Sequence, residues 1–262
     1  MDTLQFGVFL SPRAADLGQL REHVQVAEAA GFDFVSIQDH PYVPDFLDTF
    51  ALIGTLIGQT SRLRFMTDVA NLPLRPAQML AKTSASLDVL SGGRFELGLG
   101  AGRAGDQIAG LGGPRRSPRE AVAAVSEAID VLHALWLPGR TITLPGQYYP
   151  VTAATGPAPA HRIDSAARAA GRDPASIRRV IQLVGAVTGT PHTTSRPRSG
   201  PGAQPIRTTP DIWAKIIAEF AADQRFDTVN LVLEQETSEQ LRLFADEVIP
   251  LARTATSGAS VG

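Results

Sequence analysis

The chain has 262 residues, 44% of them hydrophobic and 19% charged, enough for one α/β barrel or two modest domains around a large core. Its formal net charge of −2 provides no basic field for nucleic acid or an anionic membrane, and the lack of cysteine excludes a disulfide scaffold, a thiolate metal site and a cysteine nucleophile. Met1-Asp2 leads straight into a strand-like run, with no signal-peptide pattern and no apolar stretch of membrane-spanning length, so the expected location is cytoplasmic and the expected partner a small-molecule substrate.

Gln5–Ser11 (QFGVFLS) reads as a buried strand and Leu17–Ala30 as a helix closed by Gly31. Phe32–Gln38 is a second strand, ending in Gln38-Asp39-His40. Asp48 is a candidate cap for a helix running to Thr60. Leu63–Ala70 is the third strand, Pro76–Leu90 a helix ended by Gly92-Gly93, and Arg94–Gly100 the fourth strand, closing on Gly98-x-Gly100-x-Gly102. Ser117-Pro118-Arg119-Glu120 has the pattern of a capping box and opens a helix to about Trp136. Four strand-helix units in succession imply a parallel sheet with right-handed crossovers, either an open doubly wound sheet or a closed barrel.

After these units the order changes. Thr141–Val151 predicts a short hairpin turning at Pro145-Gly146, and Ala153–Ala160 a turn-rich linker. Ile163–Gly171 reads as a short helix and Ile177–Val187 as a strand. Thr188–Pro210, rich in Pro, Gly, Ser and Thr and carrying Arg196, Arg198 and Arg207, reads as a flexible loop or an active-site lid. Pro210–Ala222 is a helix, Phe226–Leu233 a strand, and Ser238–Ala252 a final helix kinked or ended near Pro250. The whole of residues 1–253 is expected to form one domain, with 254–262 a disordered tail.

Four segments resemble the luciferase-like monooxygenase superfamily, and within it the branch that uses the deazaflavin coenzyme F420. They are QFGVFLS, SIQDH, the uninterrupted run from Thr67 to Gly102 (TDVANLPLRPAQMLAKTSASLDVLSGGRFELGLGAG), and the closing DTVNLVLEQETSEQLRLFADEVIPLAR. The resemblance implies a TIM-type (β/α) barrel with its cofactor at the carboxyl ends of the strands. About six barrel strands are recognisable, and about 40 residues, the size of a strand-helix-strand piece, are absent between Gly156–His161 and Arg162–Pro174, so the barrel is expected to be incomplete. The absent piece normally carries backbone N–H groups for the cofactor phosphate.

The resemblance also assigns site residues. His40 matches the active-site histidine, a proton donor or acceptor beside a hydride acceptor, and Asp39 is a candidate to orient the ring or bond the cofactor. A non-proline cis peptide is implied at Asp68–Val69, a bulge against the cofactor ring, with Asn71 in contact. Gly100 and Gly102 would let the cofactor approach bare backbone, and Arg103 stands where many F420 enzymes carry a carboxylate, placed to bind an anionic group or simply solvated. Read without the resemblance, His40 is a solvated loop histidine next to Pro41 and Asp68–Asn71 an ordinary turn before Pro73. The glycines fail a dinucleotide fingerprint, since the pattern would need glycine at position 103 and follows the fourth strand rather than the first. No metal-ligand spacing and no nucleophile elbow occurs. The expected function is an F420-dependent oxidoreductase, with FMN the second cofactor choice and a non-catalytic ligand-binding homologue the alternative. A homodimer through the helices after Thr49 and Arg75 is implied by the resemblance.

Overall fold

A computed structural model describes residues 4–137, 139–157, 180–190, 204–224 and 226–258. The central element is a parallel sheet of seven strands. In chain order these are β1 (Gln5–Leu10), β2 (Phe34–Ile37), β3 (Arg64–Thr67), β5 (Phe95–Glu96), β9 (Val180–Val187), β10 (Ile206–Thr208) and β11 (Thr228–Leu233). Their spatial order is β10-β9-β11-β1-β2-β3-β5. β1 lies between β11 and β2, with Val8 opposite Leu231 on one side and Val35 on the other. Helices cover the sheet, so the central strands are buried on both faces and read as nearly continuous apolar runs. Phe6, Val8, Leu10, Val35, Ile37, Phe65 and Leu231 form the middle of the core.

The helices are α1 (Leu17–Ala29), α2 (Thr49–Ile57), α3 (Ala77–Ser91), α4 (Gly105–Gly110), α5 (Pro118–Leu135), α6 (Pro210–Gln224), α7 (Ser238–Leu243) and α8 (Ile249–Gly258). Several ends follow the sequence signals. The Asp48 side chain accepts from the Ala51 N–H and starts α2, Ser117 and Glu120 form the capping box of α5, and Gly92 closes α3 in the left-handed region at φ 68°. Glu28, near the end of α1, accepts from the N–H groups of Ser61, Arg62 and Leu63 and from the Ser61 hydroxyl. Burial pushes the Glu28 carboxyl up, but these four donors prevail and hold it down to about 2.

β3 and β5 each continue past an interruption. β4 (Ala70–Asn71) pairs in parallel with β6 (Leu99–Gly100), extending the β3–β5 ladder beyond a bulge. A hairpin of β7 (Thr141–Leu144) and β8 (Val151–Thr155) leaves the alternating pattern where the sequence predicted. It docks through Tyr149, whose hydroxyl donates to the Leu72 carbonyl at 3.2 Å.

The structure corrects four sequence readings. The span 188–210 is not loop throughout, because Ile206–Thr208 adds to β9 as an edge strand, with Ile206 and Thr208 buried and Arg207 outward. This alternation is too short for periodicity to register. Ala153–Thr155, read as linker, is the end of β8. The final helix does not end at Pro250: a π turn over Phe244–Val248 precedes the proline, and the helix runs on from Ile249. The tail is helical to Gly258 rather than disordered from Thr254, with the Thr254 and Thr256 hydroxyls bonded back to the Pro250 and Ala252 carbonyls. The helix predicted at Ile163–Gly171 and the arginines at 196 and 198 lie outside the described residues.

Among the described residues the seven strands do not close into a ring, since β5 and β10 each have one strand neighbour in the main sheet. Over the described residues the architecture is thus a TIM-barrel-like wall. Among the described residues no helix is long and apolar enough to cross a membrane.

Candidate functional site at the carboxyl ends of the second to fourth strands

The peptide bond between Asp68 and Val69 is cis, as the sequence resemblance implied. This bulge separates β3 from β4 and turns the two side chains to different duties. Asp68 faces a polar cluster gathered from across the sheet. Its Oδ2 accepts from Asn230 Nδ2 at 2.8 Å, Gln182 Nε2 at 3.3 Å and Ser36 Oγ at 3.4 Å. Burial pushes the Asp68 carboxyl above the usual range, with Ser36 and Asn230 only partly offsetting it. Val69, by contrast, is 41% exposed, an unusual position for a branched apolar side chain beside a buried core.

Val69 explains the glycines. A Cβ on Gly100 would come within 2.3 Å of Val69 Cγ2, and one on Gly98 within 2.1 Å of the Thr67 carbonyl oxygen. At Gly102 the backbone sits at φ +81° and a Cβ would meet Pro73 Cγ at 2.5 Å. Bare backbone at Gly100 and Gly102 therefore seats the bulge and the following turn. The Thr67 hydroxyl completes the join: it donates to the Gly98 carbonyl at 2.7 Å and accepts from the Gly98 N–H at 3.0 Å. These bonds span the two strands where the bulge interrupts their ladder.

Asp39 is only 3% exposed, and both its oxygens are taken. Arg75 Nε and Nη2 donate to it at 2.6 and 2.8 Å, and the Asn71 N–H at 2.8 Å. The same guanidinium donates to Asp48 at 2.7 Å and lies 4.6 Å above the Phe50 ring. Burial alone would lower Arg75, but Asp39 and Asp48 outweigh it and push its pKa up. Burial likewise pushes Asp48 up, while the Ala51 N–H and Arg75 pull it below the ordinary carboxylate range. Through these bonds Asp39 clamps the ends of β2 and β4 to the turn before α3.

His40 is half-buried and its Nδ1 lies 2.5 Å from the Tyr42 hydroxyl. A short turn makes this possible: the Val43 N–H donates to the His40 carbonyl at 2.9 Å, with Pro41 at the position such turns favour. Asn71 is buried, and its side-chain Oδ1 has no partner among the described residues. Arg103 is exposed on the loop after β6 and makes no hydrogen bond or ion pair among the described residues.

The predicted residues thus divide. His40, Val69, Asn71 and Gly100 lie at neighbouring strand ends, Asp68 faces the cluster under the bulge, Asp39 braces, and Gly102 and Arg103 stand on the outer loop. Sequence reasoning missed Arg75, Tyr42, Gln182 and Asn230. Arg75 carried a signal, since an arginine between two apolar runs with Asp39 and Asp48 upstream asks for a buried carboxylate partner. Gln182 and Asn230 carried none, being joined to Asp68 only by the closing of the sheet. A separate polar cavity of about 200 Å³ lies beside Ser11, His23 and Glu236, and connects to this region through the bond from Gln38 Nε2 to Ser11 Oγ at 3.2 Å. Among the described residues no group of acidic, histidine or cysteine side chains is arranged to hold a metal ion.

Residues 4–163 match the family model described as luciferase-like monooxygenase. An F420-dependent glucose-6-phosphate dehydrogenase of Beutenbergia cavernae is 33% identical over 145 residues, 52% of this chain and 42% of that protein. A 4-hydroxyprotoasukamycin monooxygenase of Streptomyces nodosus subsp. asukaensis is 30% identical over 153 residues, 55% of this chain and 40% of its own. The matched region spans half or less of these relatives' length. In fold, the chain is similar to an F420-dependent secondary alcohol dehydrogenase solved with an F420–acetone adduct, at a TM-score of 0.74 and 18% identity, covering 95% of this chain and 99% of that one.

Proposed function

The chain belongs to the luciferase-like monooxygenase family, and we propose that it is an oxidoreductase that binds F420, with FMN the second choice, at the Val69 bulge and moves a hydride to or from a small organic substrate. The observation that carries this reading is the pairing of an exposed Val69 with a buried, unpartnered Asn71 Oδ1 on the same bulged strand. An apolar side chain held in the open fits the face of a planar ring. An orphaned buried acceptor costs about 1–3 kcal/mol unless a donor, such as a ring N–H, meets it. These features fit the tricyclic group, and the hydride chemistry is the ring's own.

The protein's part is placement. Val69 would support the ring face, Asn71 would accept its N–H, and His40 would lie at its edge. The Asp39–Arg75–Asp48 clamp fixes the loops that carry these groups. F420 is named for relatives and structural neighbours, and a modified FMN for one structural neighbour, a riboflavin lyase; the choice between them here belongs to the proposal. The chain is also proposed to form a homodimer through α3, whose outer side exposes Met79, Val89 and Leu90. Sedimentation at falling protein concentration checks this, and a monomer at all concentrations refutes it.

A second reading, a ligand-binding homologue without turnover, is favoured by the unclosed sheet and by solvent-exposed Arg103 at the expected carboxylate position. One experiment separates the two. Purified protein is titrated with oxidised F420 and with FMN, followed by the ring's absorbance and fluorescence, and then tested for redox exchange with alcohols and carbonyl compounds. The proposal expects saturable binding and turnover. Binding without exchange supports the second reading, and no binding to either cofactor defeats both the F420 and the FMN model.

A further inference from the structure

We infer that Tyr42 locks His40 in the tautomer carrying its proton on Nε2, which makes His40 a hydrogen-bond donor and Tyr42 its positioning residue; the role this gives His40 in turnover rests on the function proposed above. The geometry is local and specific. His40–Val43 is a four-residue turn closed by the Val43 N–H to the His40 carbonyl, and it folds the Tyr42 side chain back on the imidazole. The rings meet edge to face with centroids 5.3 Å apart, and the hydroxyl reaches Nδ1 at 2.5 Å.

One proton must lie between these two atoms, and two arrangements compete. Either the phenol donates to Nδ1, or Nδ1–H donates to the phenol oxygen and the phenol proton must find another acceptor. Asp39, whose charge reaches Tyr42, accepts three bonds, from Arg75 Nε and Nη2 and the Asn71 N–H, and none from the Tyr42 hydroxyl. No other described side chain accepts from Tyr42. Burial, and then the Asp39 charge, push the Tyr42 hydroxyl above its ordinary range, so it keeps its proton throughout neutral pH. At the 2.5 Å contact the imidazole nitrogen is the better acceptor and the phenol the better donor, so the phenol donates, Nδ1 accepts, and the proton of neutral His40 sits on Nε2.

The consequence is chemical. A neutral imidazole with Nε2–H can stabilise negative charge on a substrate oxygen or a ring nitrogen. It cannot remove a proton at that atom until the tautomer changes. Two Tyr42 variants separate the chemistry from mere packing: Tyr42→Phe removes the hydroxyl and keeps the ring, whereas Tyr42→His keeps a side-chain hydrogen-bond donor on a smaller ring.

The test uses protein labelled with ¹⁵N-histidine and long-range proton–nitrogen correlation above the imidazolium range. His40 is assigned among the five histidines by its loss in His40→Gln. The expected pattern is a pyridine-like Nδ1 and a pyrrole-like Nε2, replaced in Tyr42→Phe by averaged values. A pyrrole-like Nδ1 in the unmodified protein overturns the inference, as does an unchanged pattern in a folded Tyr42→Phe. Neither readout needs a cofactor, so failure of the proposed function leaves this result standing and the reverse also holds. Where turnover is measured, Tyr42→Phe is expected to lower kcat by about tenfold, the value of one hydrogen bond, with KM little changed and with recovery in Tyr42→His. A fall confined to KM would overturn the positioning role.

Discussion

Replacing Gly100 by alanine would drive a methyl group into the Val69 side chain. The new Cβ would lie 2.3 Å from Val69 Cγ2, 3.4 Å from Val69 Cβ and 3.5 Å from the Ala70 carbonyl oxygen, so a single methyl group accounts for the clash. Forcing such a group into packed structure costs about 1–3 kcal/mol. Val69→Ala alone removes two partly exposed methyl groups and should cost about 1 kcal/mol on area grounds. In the double variant the offending methyl is gone and the remaining contacts are ordinary. The double variant should therefore be more stable than the sum of the single effects predicts, by about 1–2 kcal/mol. Urea unfolding of the four proteins at constant m measures the coupling. Gly98→Ala provides the contrast, because its Cβ would meet a backbone oxygen at 2.1 Å that no side-chain truncation relieves. Additive effects of Gly100→Ala and Val69→Ala, within about 0.5 kcal/mol, would refute the claim that this glycine exists to seat the bulge.

Other outcomes follow from the same geometry. Arg75→Ala leaves Asp39 charged and buried without its bidentate partner, and should lower unfolding stability by about 3–5 kcal/mol; a loss under about 1 kcal/mol would show that the clamp is ornamental. His23 is buried, and that burial lowers its pKa against the partial opposition of Glu236 and Glu22. Its unfolded form then binds protons more readily, so stability should fall as pH drops below about 6.5. His23→Asn should flatten that part of a denaturation-versus-pH profile, and an unchanged slope would count against a neutral buried imidazole. Glu28 acts in the more acidic range. With its carboxyl held down to about 2 from 4.5, its contribution is complete above pH 4.5 and is lost as pH falls towards 2. Glu28→Gln should remove that acid limb and, above pH 6, lower stability by a constant amount with no change of slope.

The parts of this structure visible in the sequence are those governed by neighbours along the chain. Ser117 and Glu120 cap α5 because the two partners are three residues apart, and Gly92 closes α3 because only glycine takes that turn cheaply. The Thr67–Gly102 run was legible as a family segment, and with it the cis bond at Asp68–Val69. What the residues there do was less legible. Asp39 reads as a site carboxylate, yet its burial and its pairing with Arg75 arise from the docking of three loops. Gly100 reads as room for a ligand, yet the room is filled by a side chain 31 positions earlier, brought over it by strand pairing. β10 escaped notice because three residues of alternation inside a Pro- and Gly-rich span carry no periodic signal, and only the exposed edge of β9 makes them a strand.

The central claim, that the Val69 bulge is the seat of a redox ring, is tested most directly by the methyl resonances of Val69. Protein with ¹³C-labelled valine methyls is titrated with oxidised F420 and separately with FMN, with Val69 assigned by its loss in Val69→Ala. Val69 methyl signals that shift with the binding isotherm, while those of buried valines such as Val24 stay in place, are the result expected. A ligand that binds without moving the Val69 methyls, or the absence of binding by both compounds, would contradict it.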